Sequence, residues 1–265
     1  MRAQRPRRGA AGVTAAVLAL AAVAGCGGSA SGGGSAGDPG AGGTVSVFAA
    51  ASLTESFTRL GRDFEAAHPG TTVVLNFAGS AALAAQINQG APADVFASAA
   101  TRNMATVTGA GNADGDPVVF ARNQLVVAVP KGNPRGVAGP ADLARPGVKV
   151  ALCAEQVPCG AAARTALDAA SVALTPVTLE QDVRGALSKV RLGEVDAALV
   201  YRTDALAAAA DVTAVEFPES ARAVNDYPIV ALRDAPNPDG ARAFVAYVRS
   251  ERGREVLTEA GFQAP

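Results

Sequence analysis

Val45-Ser46-Val47-Phe48-Ala49-Ala50-Ala51-Ser52-Leu53 decides the fold. An apolar run ends in small residues and hands a serine to a helical pattern. Leu53, Phe57, Leu60 and Phe64 then fall at helical spacing. The reading is a strand followed at once by a helix. Ser52 is expected as the N-cap, and Glu55, three residues on, would complete a capping box. A helix start also carries unpaired backbone N–H groups and the positive end of the dipole. With a hydroxyl beside them, such a turn can bind an oxyanion. Taken alone, the same residues make an ordinary cap.

The strand-to-helix alternation continues outward. Strand patterns cover 71–77, 93–98, 118–129 with a break near 122–124, 148–152, 195–201, 212–217 and 227–232. Helical patterns cover 80–89, 160–170, 181–191, 238–249 and 251–260. This alternation predicts α/β lobes with mainly parallel sheets. The extended segments 124–130 and 227–232 would cross between two lobes. Lobe one is then 44–123 plus 228–265, and lobe two 124–227. A ligand would sit between them, where strand ends face helix starts.

The first residues read as an address. Arg2, Arg5, Arg7 and Arg8 precede an Ala/Val/Leu-rich run that closes with Val23-Ala24-Gly25-Cys26. A charged start, an apolar middle and small residues before a cleavage point make residues 1–25 a secretory signal. The small pair directly before Cys26 resembles a lipobox, with Cys26 lipidated. Residues 26–43 are that cysteine and a Gly/Ser-rich tether. The expectation is a domain leashed to the outer face of the cell membrane through lipid only. Without the signal, 19 basic and 24 acidic residues remain, a net charge of −5. That argues against nucleic acid as a partner. Cys153 and Cys159 would form a disulfide outside the cytoplasm. With one histidine in the chain, His68, and two cysteines, zinc is poorly supported.

Four further turns look like the first. Phe77-Ala78-Gly79-Ser80-Ala81-Ala82-Leu83 repeats strand, small turn, hydroxyl, helix. Val157-Pro158-Cys159-Gly160 and Gln181-Asp182-Val183-Arg184-Gly185 each open a helix. Ala198-Leu199-Val200-Tyr201 ends a strand with a phenol. Asp182 either caps its helix or turns inward as an acceptor.

Together with Gly90-Ala91-Pro92-Ala93-Asp94-Val95-Phe96 and Tyr227-Pro228-Ile229, these segments resemble the molybdate-binding proteins of ABC importers. That family has the two-lobed type II periplasmic-binding fold. The likeness runs in order along nearly the whole chain after the tether. It implies an oxyanion held by the hydroxyls and amides of Ser52 and Ser80, the amides of Cys159 and Val183, and the Tyr201 hydroxyl. It further implies molybdate or tungstate as cargo rather than a cofactor, an importer permease and its ATPase as partners, a monomer, and no catalysis. Family members often carry a hydroxyl residue at the position of Gly79 and alanine at that of Cys159. A Cys153–Cys159 bond would fix the loop that presents the Cys159 amide.

The alternatives are a sulfate-, other oxyanion- or iron-binding lipoprotein of the same fold, or a serine hydrolase. Iron would need converging phenolates or carboxylates, and the chain has three tyrosines, Tyr201, Tyr227 and Tyr247. The hydrolase elbow G-x-S-x-G is absent around Ser52. His68, before Pro69-Gly70, suits a helix end better than a general base.

Overall fold

The computed structural model describes residues 42–265. The expected signal peptide, the expected lipidation site Cys26 and all but the end of the tether lie outside the described residues. In chain order the strands are β1 (Gly43–Ala50), β2 (Thr71–Ala78), β3 (Val95–Ala97), β4 (Ala113–Asn123), β5 (Leu125–Pro130), β6 (Val150–Cys153), β7 (Thr178–Glu180), β8 (Ala197–Tyr201), β9 (Val212–Val215) and β10 (Asn225–Leu232). The α-helices are α1 (Thr54–Ala67), α2 (Ser80–Asn88), α3 (Thr101–Gly109), α4 (Pro158–Ala169), α5 (Val183–Arg191), α6 (Arg202–Ala207), α7 (Pro238–Arg249) and α8 (Glu251–Glu259).

Two sheets result, ordered β2-β1-β3-β10-β4 and β7-β6-β8-β5-β9, giving the expected two-lobed α/β fold. Each is more mixed than the alternation suggested. In the first, β1 runs parallel to β2 and β3, while β10 is antiparallel to β3 and β4. In the second, β6 runs parallel to β7 and β8, while β5 is antiparallel to β8 and β9. The reason is connectivity. Helical crossovers force parallel pairing, but β4, β5, β9 and β10 belong to the segments that cross between sheets. The chain leaves the first sheet at Gln124. It re-enters with β10 at Asn225, three positions ahead of the expected boundary at 228.

Period-two alternation packs the first sheet on both faces. Val45, Val47 and Ala49 join the core with Phe57, Leu60 and Phe64 of α1 and Phe244 of α7. Phe48 and Phe96 point the other way, into a cluster with Leu83, Ile87, Met104 and Val107 of α2 and α3. Phe57 is fully buried and meets Phe120 and Phe244 ring to ring. Truncating it to alanine should cost about 3–5 kcal/mol. Helix α1 stops at His68, whose Nδ1 hydrogen-bonds the Phe64 carbonyl at 2.9 Å. In the second sheet, Leu125–Val129 of β5 are buried without a break, as expected of a strand covered on both faces.

Register then aligns the turns that matter. Ala50 of β1 pairs with Ala78 of β2, and Ala49 with Ala97 of β3. The three strands therefore end together, and their turns share one edge. In the second sheet Cys153 pairs with Glu180, so β6 and β7 also end side by side. Asp94, buried in the Gly90–Phe96 segment, accepts backbone N–H bonds from Ser46 and Asn237, both at 2.6 Å. Its role is to tie the sheet to the start of α7.

Candidate functional site

The strand-end turns of the two sheets meet across a small cavity. Ala50, Ala51, Ser52, Gly79, Ser80 and Ala99 line one side, and Val157, Pro158, Cys159, Asp182, Val183 and Tyr201 the other. Its volume, counted as room for the centres of water-sized spheres, is about 10 Å³. That is room for about one water molecule. All five residues singled out in the sequence, Ser52, Ser80, Cys159, Val183 and Tyr201, border it. A groove of about 550 Å³ on the second lobe, between α4 and β7, touches none of the five.

Ser52 is not the N-cap that its spacing predicts. A 3₁₀ turn, Ala51–Leu53, intervenes, and α1 starts at Thr54 with Leu53 at the cap position. The Ser52 hydroxyl lies 2.9 Å from the hydroxyl of Tyr227 instead. A fully buried phenol needs a polar partner, and Ser52 is within reach. Nor does Glu55 close a capping box; its carboxylate accepts from Arg184 on the other lobe at 2.5 Å. Ser80, the first residue of α2, accepts the Ala99 N–H at 3.0 Å. The Tyr201 hydroxyl accepts from Asn225 Nδ2 at 2.9 Å. Ser80 takes a hydrogen bond from the protein and keeps its own proton to give, while the Tyr201 hydroxyl is also hydrogen-bonded to the Tyr227 hydroxyl. Burial raises both the Tyr201 and the Tyr227 phenol well above the usual range, so both stay protonated at neutral pH.

The second lobe offers main-chain groups. Cys159 is the second residue of α4, after Pro158, and Val183 the first of α5. First-turn amides have no intrahelical acceptor. Cys153 and Cys159 are bonded, with Cα atoms 5.7 Å apart. The loop folds so tightly that a Cβ on Gly160 would lie 2.0 Å from the Ala154 carbonyl oxygen. Asp182 caps α5: its Oδ1 accepts the Gly185 N–H at 2.9 Å. Its carboxylate is thus engaged by its own helix.

No Lys, Arg or His lines the cavity among the described residues. Besides the Asp182 carboxylate that caps α5, the cavity presents neutral hydroxyls and the starts of three α-helices, a field suited to an anion. Around it the lobes are tied together. Arg102 donates to the Glu155 carbonyl at 2.5 Å, and Asn123 Nδ2 to Thr203 Oγ1 at 2.8 Å. The exposed Arg184–Glu55 pair adds at most about 1 kcal/mol. Beneath Tyr201, Asp204 is 1% exposed and neither carboxylate oxygen has a hydrogen-bond partner. Burial pushes its pKa up to about 8, with Glu55 and Asp182 adding to the shift and Arg184 opposing it.

Sequence reasoning missed the supporting partners Ala99, Asn123 and Asn225, and gave Tyr227 no role at the site. The Tyr227-Pro228-Ile229 segment was a signal, but its hydroxyl partner was not legible. His68 stacks on Phe64 with ring centroids 4.0 Å apart, and its Nδ1 is bonded to the Phe64 carbonyl. Tyr247 packs on Phe64 and His68, away from Tyr201 and Tyr227.

Residues 45–263 match the family described as bacterial extracellular solute-binding protein. The chain belongs to that family. This solute-binding protein is 47% identical over 222 residues to the molybdate-binding protein ModA of Mycobacterium tuberculosis H37Rv, spanning 84% of this chain and 85% of that one. It is 33% identical over 233 residues to ModA of Escherichia coli K12, spanning 83% and 89%. In fold it is similar to the solved periplasmic molybdate-binding protein of Azotobacter vinelandii, with a TM-score of 0.73 at 20% identity, covering 83% of this chain and 99% of that one.

Proposed function

We propose that this solute-binding protein captures molybdate, and tungstate with it, between its lobes and delivers the anion to an ABC importer. One observation carries the reading: a small cavity lined by hydroxyls and helix starts and by no cationic side chain, in a chain 47% identical to a molybdate-binding protein. The hydroxyls of Ser52, Ser80 and Tyr201 and the amides of Ser52, Ser80, Cys159 and Val183 are the donors. A buried dianion is tolerated only when fully hydrogen-bonded, and bonds to a charged acceptor are the stronger kind. Neutral donors bring no side-chain cation that would itself need desolvation.

The same chemistry supports selection against phosphate. Near neutral pH phosphate usually keeps a proton and needs an acceptor. The nearest candidate, Asp182, already accepts from Gly185. Molybdate, tungstate and sulfate carry no proton to place. The preference for molybdate over sulfate is supported by the relatives named for molybdate, and tungstate follows from its like charge and shape.

The lobes swing about the two crossings between the sheets, opening to load and closing to hold. The disulfide fixes the loop that presents the Cys159 amide. Molybdenum is cargo, and the chemistry is binding and release rather than catalysis. The protein acts as a monomer outside the cytoplasm, anchored through Cys26, and presents α1 among its surfaces to the permease. Mass spectrometry of the membrane fraction tests the anchor: diacylated Cys26 is expected, and an unmodified cysteine would refute it.

Calorimetric titration of the purified domain with molybdate, tungstate, sulfate and phosphate tests the central reading. Tight binding of the first two alone is expected. Heat with none of the four would overturn it.

A further inference from the structure

We propose that Gly79 sets how far the cleft closes, and so fixes the width of the anion cavity. The argument starts from the backbone. Gly79 has φ −60° and ψ 134°, an extended conformation open to any residue. Glycine is therefore not required here by its dihedral angles. What it provides is space. A Cβ at this position would lie 2.2 Å from the carbonyl oxygen of Gln181, 3.4 Å from its carbonyl carbon and 3.6 Å from Cβ of Asp182.

Gln181 belongs to the other lobe. It follows β7 and leads through the cap Asp182 to Val183. Gly79 in turn directly precedes Ser80. The two turns that carry donors from opposite lobes thus meet at the one atom glycine lacks. The obstacle would be main chain on both sides, so no rotamer change relieves it. Only drawing the turns apart by roughly 1 Å restores an ordinary contact. A hydrogen bond of about 2.9 Å stretched that far is no longer one. Gly79 touches the anion with no polar atom of its own; it is a positioning residue. This inference rests on the oxyanion reading above, because it assigns the gap to that ligand.

Gly79→Ala is the direct test, made in the otherwise unchanged protein. Three measurements are compared with wild type: molybdate affinity by calorimetry, the radius of gyration at saturating molybdate by X-ray scattering, and the anion-free unfolding temperature. The expected result is at least about tenfold weaker binding, the loss of one charge-assisted bond. The loaded variant should also be measurably wider than loaded wild type, with the anion-free unfolding temperature unchanged. Gly79→Val should behave alike, because its Cβ meets the same carbonyl. Wild-type affinity with a wild-type radius in either variant would overturn the proposal while leaving the oxyanion reading intact. So would a variant that fails to fold, since Gly79 meets Gln181 only with the cleft shut. A wild-type protein that binds no oxyanion would instead overturn the reading beneath, and this inference with it.

Discussion

The two walls of the cleft are built from different parts of the chain. The first-lobe wall adds side chains to the Ser52 and Ser80 amides: the hydroxyls of the same two residues, set by Tyr227 and by the Ala99 amide. The second-lobe wall offers Tyr201 and otherwise main chain, the amides of Cys159 and Val183 at the starts of α4 and α5. A side-chain donor is deleted by substitution. A main-chain donor can only be displaced. The first wall is thus written in residue identity, and the second in whatever holds two helix starts in place.

The sharpest break of this comparison is on the first wall. Ser52→Ala and Ser80→Ala should each weaken molybdate binding by about 10- to 100-fold, at 1.5–3 kcal/mol per bond to a charged group. The pair together should lose more than a hundredfold by calorimetry, and a loss under fivefold would remove the first wall from the site. Tyr201→Phe keeps the ring and deletes the proton. About a tenfold loss is expected, with unchanged circular dichroism. On the second wall, Cys153→Ser with Cys159→Ser should lower stability by about 2 kcal/mol in urea denaturation. Affinity should fall about threefold to tenfold, because the amide survives but its loop is freed. Unchanged affinity would show that the loop holds its shape unaided.

Asp204, just behind Tyr201, makes a pH prediction. Its folded-state pKa, about 8, lies above that of an unfolded aspartate. Between the two values the unfolded chain has released a proton that the folded protein keeps, so stability falls as pH rises through that window. Asp204→Asn should therefore gain on wild type between pH 5 and pH 8, by at least about 1 kcal/mol, in denaturation at each pH. A gap that does not grow would mean that Asp204 finds a partner. The smallest effect is Val183→Ala. Its amide remains, so affinity should stay within about threefold while some packing stability is lost. A large loss would mean that the side chain, not the helix start, matters on that wall.

Much of this was legible in sequence, for a physical reason. Strand-to-helix turns leave a local signature of small residues, a hydroxyl and then helical periodicity. The turns at Ser80, Cys159, Val183 and Tyr201 stood out locally, the family likeness assigned their role, and the structure places them around one cavity with Ser52. Ser52 was right in place and wrong in local role. The competing partner, Tyr227, is 175 residues away, and no local pattern can announce it. Helix α3 escaped because its buried apolar residues are only Met104 and Val107, too few to set a period. The one reversed strand in each sheet, β10 and β5, was hidden because alternation reports the crossovers and not the segments that pass between lobes.

Capture of a charged cargo has an electrophoretic consequence. Whatever lines the site, the loaded protein differs from the empty one by the whole charge of its dianion. With no Lys, Arg or His in the cavity lining, that charge is not offset locally either. On a native gel or an anion-exchange column, filled and empty molecules should separate by that difference. Any partner with a charged docking face would meet two electrostatically distinct proteins.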